Sequence, residues 1–255
     1  KLMLKRRIIP FLLIDENSDC VKTTQFNNRN YIGDIFNNIR IFNEKKAEEI
    51  VVLDIDASKN NTKPNFDLID KIASVCRMPL TYGGGINTLE TAKEIIALGV
   101  EKICINTAAL NDIGLIKRIS DDIGSQSLSV SLNIKKINNE FKIVNNFGKV
   151  INIDVINFLK IIQNNGVGEI IFNSLDDDGC MKGYNFEILE NFLKYIDIPS
   201  IILGGCSQIE NIRSLFNNFK SVAAGCSSIF IYKGKFKAVL ISYPSELEKL
   251  KIYKI

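Results

Sequence analysis

At 255 residues, with 46% hydrophobic and 24% charged side chains, the chain can build one large core, and it carries no polar tract that reads as an appended tail. The net charge of +3 comes from bases interspersed with acids rather than gathered into a patch, which argues against a nucleic-acid surface. The longest apolar run, "RIIPFLLI", is broken by Pro10 and is too short for a membrane span, and no small-residue cleavage site follows it.

The chain has no histidine, which removes the commonest metal ligand and the commonest acid–base group at neutral pH. Zinc chemistry and a Ser-His-Asp triad are excluded, and no metal or cofactor is expected. Six cysteines (Cys20, Cys76, Cys104, Cys180, Cys206 and Cys226) are scattered without a CxxC pair, the usage of reduced thiols in a cytoplasmic protein. Met3 reads as a natural start, with Lys1 and Leu2 as additions ahead of it.

In chain order, short runs rich in Ile and Val predict strands at Ile8–Leu13, Ile50–Asp54, Leu80–Tyr82, Lys102–Ile105, Leu128–Leu132, Glu169–Asn173, Ser200–Leu203 and Ser221–Ala224. Each is followed by a segment of helical period, such as "NTLETAKEIIALG", whose apolar residues recur at three and four positions. Strand–helix alternation of this length predicts a single-domain α/β (βα)8 TIM barrel, with an open doubly wound sheet as the alternative. An internal echo favours the closed barrel. "EEIVVLDID…NFDLIDKIASVCRMPLTYGGG" returns as "GEIIFNSLD…NFEILENFLKYIDIPSIILGG" at a spacing of 120 residues, which carries Glu49 to Glu169, Phe66 to Phe186 and Pro79 to Pro199. Two half-barrels predict two similar sites.

"YGGGINTLE" (82–90) and "LGGCSQIE" (203–210) place glycines between a strand end and a helix start, where backbone N–H groups and the helix dipole suit an oxyanion. A lone Gly-Gly is a tight turn. Two copies in register, each followed by a polar strand end ("INTAA" at 105–109, "GCSSIF" at 225–230), predict two phosphate-sized anion sites facing each other across the barrel mouth. In "SLDDDGCMKGYN" (174–185), the acids either form a solvated loop or, for Asp178 beside Gly179, accept hydrogen bonds from a polar ligand.

From about residue 6 to 232, "RIIP", "VLDIDAS", "YGGGINTLETA", "INTAAL", "GSQS", "GEIIFNSLDDDG…KGY" and "AAGCSSIF" resemble, in order and spacing, the cyclase subunit of imidazole glycerol phosphate synthase. The resemblance implies a barrel that receives ammonia from a glutaminase partner at its N-terminal face and uses it in a lyase and cyclase reaction on a bis-phosphorylated substrate. It places one phosphate site at Gly84, Gly85, Asn106 and Thr107, and the other at Asp178, Gly179, Gly204, Gly205, Ser227 and Ser228. It also implies an ammonia gate built from Arg7, Glu49, Lys102 and Glu169, each of which taken alone is a solvated or salt-bridged strand start.

The family's two acid–base aspartates are absent: Leu13 and Asn133 stand in their places. A leucine exchanges no proton, and an asparagine amide is no base near neutral pH. Asp15 shares a strand face with Leu13 but lies beyond the expected strand end, so the cyclase reaction is expected to be lost.

"IPFLLI", "VKTTQF", "YIGD", "IFNEKKAEEIVVLDIDAS" and "FIYKGKFKAVLISYP" resemble a narrower branch of paralogues found with surface-polysaccharide and flagellin-sugar genes. That resemblance implies conversion of a sugar acetamido group to an acetamidino group, alongside a glutaminase and a third, ATP-dependent amidotransferase component, on a phosphorylated or nucleotide-linked sugar. Asn133 departs even from this branch, where an aspartate is expected. "FKAVLISYPSELEKLK" is expected to replace the family's final helix with an added edge strand or a rigid tail, with a role in partner contact. Three functions compete: an ammonia-channelling subunit, an orthodox cyclase with relocated acid–base groups, and a non-catalytic barrel that binds a phosphorylated ligand.

Overall fold

Along the first strand, Ile8, Leu12 and Ile14 alternate with Ile9 and Phe11, and all five are buried. The first set packs outward with the helices, and the second joins an interior cluster with Val51, Cys104, Ile171, Ile201 and Ala223. A strand buried on both faces belongs to a parallel sheet covered by helices outside and by its own side chains within.

The computed structural model describes residues 6–253, so the reading of Lys1 and Leu2 as additions falls outside the described residues. The barrel strands are β1 (Ile8–Ile14), β2 (Ile50–Asp54), β3 (Leu80–Gly83), β4 (Lys102–Ile105), β5 (Leu128–Ile137), β6 (Glu169–Ser174), β7 (Ser200–Leu203) and β8 (Val222–Cys226). Each pairs in parallel with the next, and Ile8↔Ala224, Ile9↔Gly225 and Pro10↔Cys226 join β1 to β8, closing the sheet. The open-sheet alternative is thereby removed. "NTLETAKEIIALG" forms the helix Leu89–Ala97, whose N-cap Thr88 accepts from the Thr91 N–H and whose Ala92 and Ile95 face the sheet.

Two antiparallel hairpins were not predicted. Asp19–Thr24 and Asn27–Asp34 form one after β1, paired onto it through Leu13↔Val21 and Ile14↔Cys20. The other is made by β5 running on past Leu132 to Ile137 and returning as Glu140–Val144. Both rise above the C-terminal ends of the barrel strands, where they enclose the mouth.

The C-terminal segment corrects the expected edge strand. Ala238–Val239 pairs only with Tyr232–Lys233, in a two-residue ladder apart from the barrel sheet. Pro244 then ends the extended run, and Glu246–Tyr253 is a helix, so the final helix is present rather than replaced. Ile241, Tyr243 and Ile252 are buried, and the Tyr243 hydroxyl donates to the Ile8 carbonyl at 2.8 Å, so the tail is strapped to the barrel wall. No helix among the described residues is long and apolar enough to cross a membrane.

Candidate functional site: a charged ring below, a cavity above

Arg7 and Glu49 sit just before β1 and β2, and Lys102 and Glu169 begin β4 and β6. Their side chains close into a four-membered ring. Arg7 donates to Glu49 at 2.7 Å and to Glu169 at 2.5 Å, and Lys102 completes it to Glu49 at 3.3 Å and to Glu169 at 2.7 Å. Burial works against the Glu169 carboxylate, but Lys102 and Arg7 outweigh it and hold its pKa below the usual carboxylate value. The same geometry raises the Arg7 pKa: burial opposes the guanidinium, and Glu169 and Glu49 more than compensate. Above the ring the barrel interior is mainly apolar, formed by Ile9, Phe11, Val51, Ile171 and Ile201, with Thr81 and Ser129 buried on the same face.

At the opposite end, a cavity with about 1020 Å³ of empty space opens to solvent between the strand ends and the two hairpins. The two glycine turns flank it with matched backbones. Gly84 and Gly85 have φ of +126° and +69°, and Gly204 and Gly205 have +102° and +89°. A Cβ on Gly84 would lie 2.5 Å from the Asp54 carbonyl oxygen and one on Gly204 2.7 Å from that of Ser174, so only glycine fits either turn. The second polar strand ends repeat as well: Asn106 stands at φ −130°, ψ −81° and Ser227 at φ −129°, ψ −79°. Gly84, Gly85, Asn106, Thr107, Asp178 and Ser227 line this cavity, while Gly179, Gly204, Gly205 and Ser228 line a smaller one that shares its Asp178 and Ser227 wall. The ten sequence-predicted residues therefore converge on one mouth. The Ser227 hydroxyl is buried without a hydrogen-bond partner among the described residues.

Leu13 and Asn133 both face the cavity. Asn133 is held at both ends: it accepts from Asn173 Nδ2 at 3.1 Å and donates to Asn146 Oδ1 at 3.2 Å, and Asn146 in turn donates to Thr107 Oγ1 at 3.2 Å. Asp15 does not substitute. Its Oδ1 accepts from the backbone N–H groups of Asn17 and Asp19, each at 3.0 Å, which fixes the turn after β1.

Among the cavity residues not singled out from sequence are Lys22, Thr23, Asp54, Lys59, Asn146 and Asn173. Asp178 directs its carboxylate at the first hairpin, taking Lys22 Nζ at 3.3 Å and the Thr23 hydroxyl at 3.2 Å. Arg29 on the same hairpin clamps Asp56 with both guanidinium nitrogens, one of them at 2.5 Å. The hairpin is thus tied to both halves of the mouth. Asp54 is the other carboxylate in the wall; its Oδ1 accepts from the N–H groups of Asp56 and Ala57, and burial nonetheless pushes its pKa up. Among the described residues no group of three or more His, Cys, Asp or Glu is placed to hold a metal ion.

A closed barrel with two symmetry-related glycine turns at its C-terminal mouth and a charged ring at its base defines a (βα)8 protein of half-barrel construction. Residues 7–237 match the family described as "Histidine biosynthesis protein", and the chain belongs to that family. It is 43% identical over 252 residues to "Putative imidazole glycerol phosphate synthase subunit hisF3" of Vibrio vulnificus, covering 98% of this chain and 96% of the relative. It is 42% identical over 252 residues to "Putative imidazole glycerol phosphate synthase subunit hisF2" of Pseudomonas aeruginosa, covering 98% and 100%. Against "Imidazole glycerol phosphate synthase subunit HisF" of Chlorobaculum parvum it is 34% identical over 232 residues, covering 91% and 92%. The chain is a homologue of these cyclase-like subunits.

Proposed function

We propose that this barrel is the ammonia-receiving subunit of a glutamine-dependent amidotransferase. A glutaminase docks at its N-terminal face, ammonia passes the ring of Arg7, Glu49, Lys102 and Glu169, and it is used at the C-terminal mouth on a phosphorylated or nucleotide-linked amino sugar. The observation that carries this reading is the contrast between the two barrel ends. Four buried or half-buried charges are fully paired at the base, where apolar side chains of similar volume would cost less to bury, while the mouth has Leu13 and Asn133 at the positions where the family resemblance expects proton-transferring aspartates.

Acetamido-to-acetamidino conversion suits that contrast. An ATP-dependent third component activates the acetamido oxygen, ammonia forms the new C–N bond at that carbon, and the activated oxygen departs with its phosphoryl or nucleotidyl group. The barrel then needs to hold and deliver rather than to move protons. Mixing the purified chain with its glutaminase partner and following glutamine hydrolysis tests the reading: a rise is expected, and unchanged hydrolysis contradicts it.

The second reading is the imidazole glycerol phosphate synthase cyclase itself. The relatives' names favour it, as does Asp54, a carboxylate of raised pKa in the cavity wall. Growth of a histidine auxotroph carrying this chain would support it, and no growth is expected.

A further inference from the structure

The deep end of the mouth cavity is divided. On one side stand Phe11, Leu13, Leu53 and Leu203, and on the other Ser131, Asn133, Asn146 and Asn173. None of these eight carries a charge. Of the charged groups in the wall, Lys22 is paired with Asp178 and Asp54 accepts from the backbone that follows β2, while Lys59 also lines the cavity.

The asparagines form a directed chain. Asn173 donates to Asn133, Asn133 to Asn146 and Asn146 to Thr107, so each amide is oriented by its neighbour. One end of the chain is left open, because Asn173 Oδ1 is buried with no donor. A buried acceptor without a partner costs free energy, which a ligand N–H would relieve. A charged group packed against the three leucines and the phenylalanine would lose hydration there.

We infer that this floor is a specificity pocket for a small uncharged N-acyl group, with Asn173 Oδ1 accepting the ligand amide N–H and Leu13 and Leu53 packing on its alkyl end. Leu13 then does more than mark a lost acid: it supplies the apolar wall that a carboxylate would abolish. Asn133 is a neutral strut that keeps Asn173 turned. This deepens the amino-sugar reading above and rests on it for the phosphorylated part of the ligand.

The test uses a matched pair, N-acetylglucosamine 1-phosphate and glucosamine 1-phosphate, titrated calorimetrically below neutral pH so that the free amine is protonated. The N-acetyl compound is expected to bind more tightly by about tenfold or more, since the ammonium would lose hydration against the apolar wall. Leu13→Asp and Asn173→Asp each place a carboxylate in the floor and are expected to narrow or invert that ratio. Inorganic phosphate titrated into each variant reports whether the cradles are folded, and Leu13→Ala and Asn173→Ser carry the test if either acidic variant is not. Equal binding of the two sugars, tighter binding of the amine, no binding of either at millimolar concentration, or a ratio unmoved by the folded variants would overturn the inference. Stimulation of the glutaminase is read at the other end of the barrel, so coupling without sugar selectivity sinks this inference alone, and selectivity without coupling sinks the channel reading.

Discussion

Lys102 Nζ meets Glu169 Oε2 at 2.7 Å, although β4 and β6 are separated by β5 in the sheet. The contact therefore passes through the interior of the barrel base, where Glu169 is almost wholly buried. With Arg7 and Glu49 it makes each acid a partner of both bases, so removing one base unbalances both acids.

Lys102→Met should destabilise the fold by about 3 kcal/mol, because it leaves two buried carboxylates sharing one guanidinium. Urea unfolding at neutral pH measures this. A loss within a few tenths of a kcal/mol would mean that the ring is solvated and contributes nothing.

The pH dependence follows from the lowered Glu169 pKa. The folded state binds this proton less tightly than the unfolded chain, so the stabilisation is complete above the ordinary carboxylate range and is lost as pH falls through the folded value. Glu169→Gln should flatten the acid limb of the stability–pH curve; an unchanged limb would place the titration elsewhere.

Lys22 and Arg29 hold the first hairpin over the mouth through Asp178 and Asp56. Arg29→Ala combined with Lys22→Met should leave the barrel folded and speed proteolytic cleavage near Gln25 and Phe26 severalfold. Cleavage at the parent rate would show that the two ion pairs are dispensable and that pairing to β1, with the Thr23 and Gln25 hydrogen bonds to Asp176 and Asp178, secures the hairpin.

Gly205→Ala should cost about 2 kcal/mol or more and abolish phosphate binding at the second cradle, since φ is +89° and a Cβ would collide with the Gly183 carbonyl oxygen. Calorimetric titration of phosphate into this variant and into Gly99→Ala, a surface turn whose Cβ meets nothing closer than 3.8 Å, separates cradle damage from general strain.

The barrel strands were legible because they are buried on both faces, so each reads as an apolar run ended by turn residues; the predicted and observed bounds of β2, β4 and β7 coincide. The hairpins were hidden for the opposite reason. Asn27–Tyr31 is exposed, and the turn at Gln25 and Phe26 takes φ of +50° and +65° without a glycine to signal it. Asn138 and Asn139 did carry a signal, since asparagine tolerates their φ of +49° and +63°.

In the site, the glycine turns were readable from the repeat, because symmetry constrains both halves alike, whereas the ring followed from the family resemblance, since only its Glu49 and Glu169 are repeat mates. Asn173 and Asn146 were not: an asparagine at a strand end or in a loop looks the same in sequence whether it faces solvent or closes a buried amide chain. Lys22 and Thr23 went unseen because their role depends on the hairpin. Asp178 was placed at the mouth, but its carboxylate faces Lys22 and Thr23.

The most direct measurement follows nitrogen through the reconstituted complex of barrel, glutaminase and ATP-dependent component, supplied with amide-15N glutamine, a nucleotide-linked N-acetylhexosamine and excess unlabelled ammonium. Passage through the barrel predicts product that keeps the isotopic enrichment of the glutamine amide, and loss of that enrichment in Arg7→Met. Product diluted to the bulk ammonium pool with the unaltered chain, or equal enrichment in both, would contradict it.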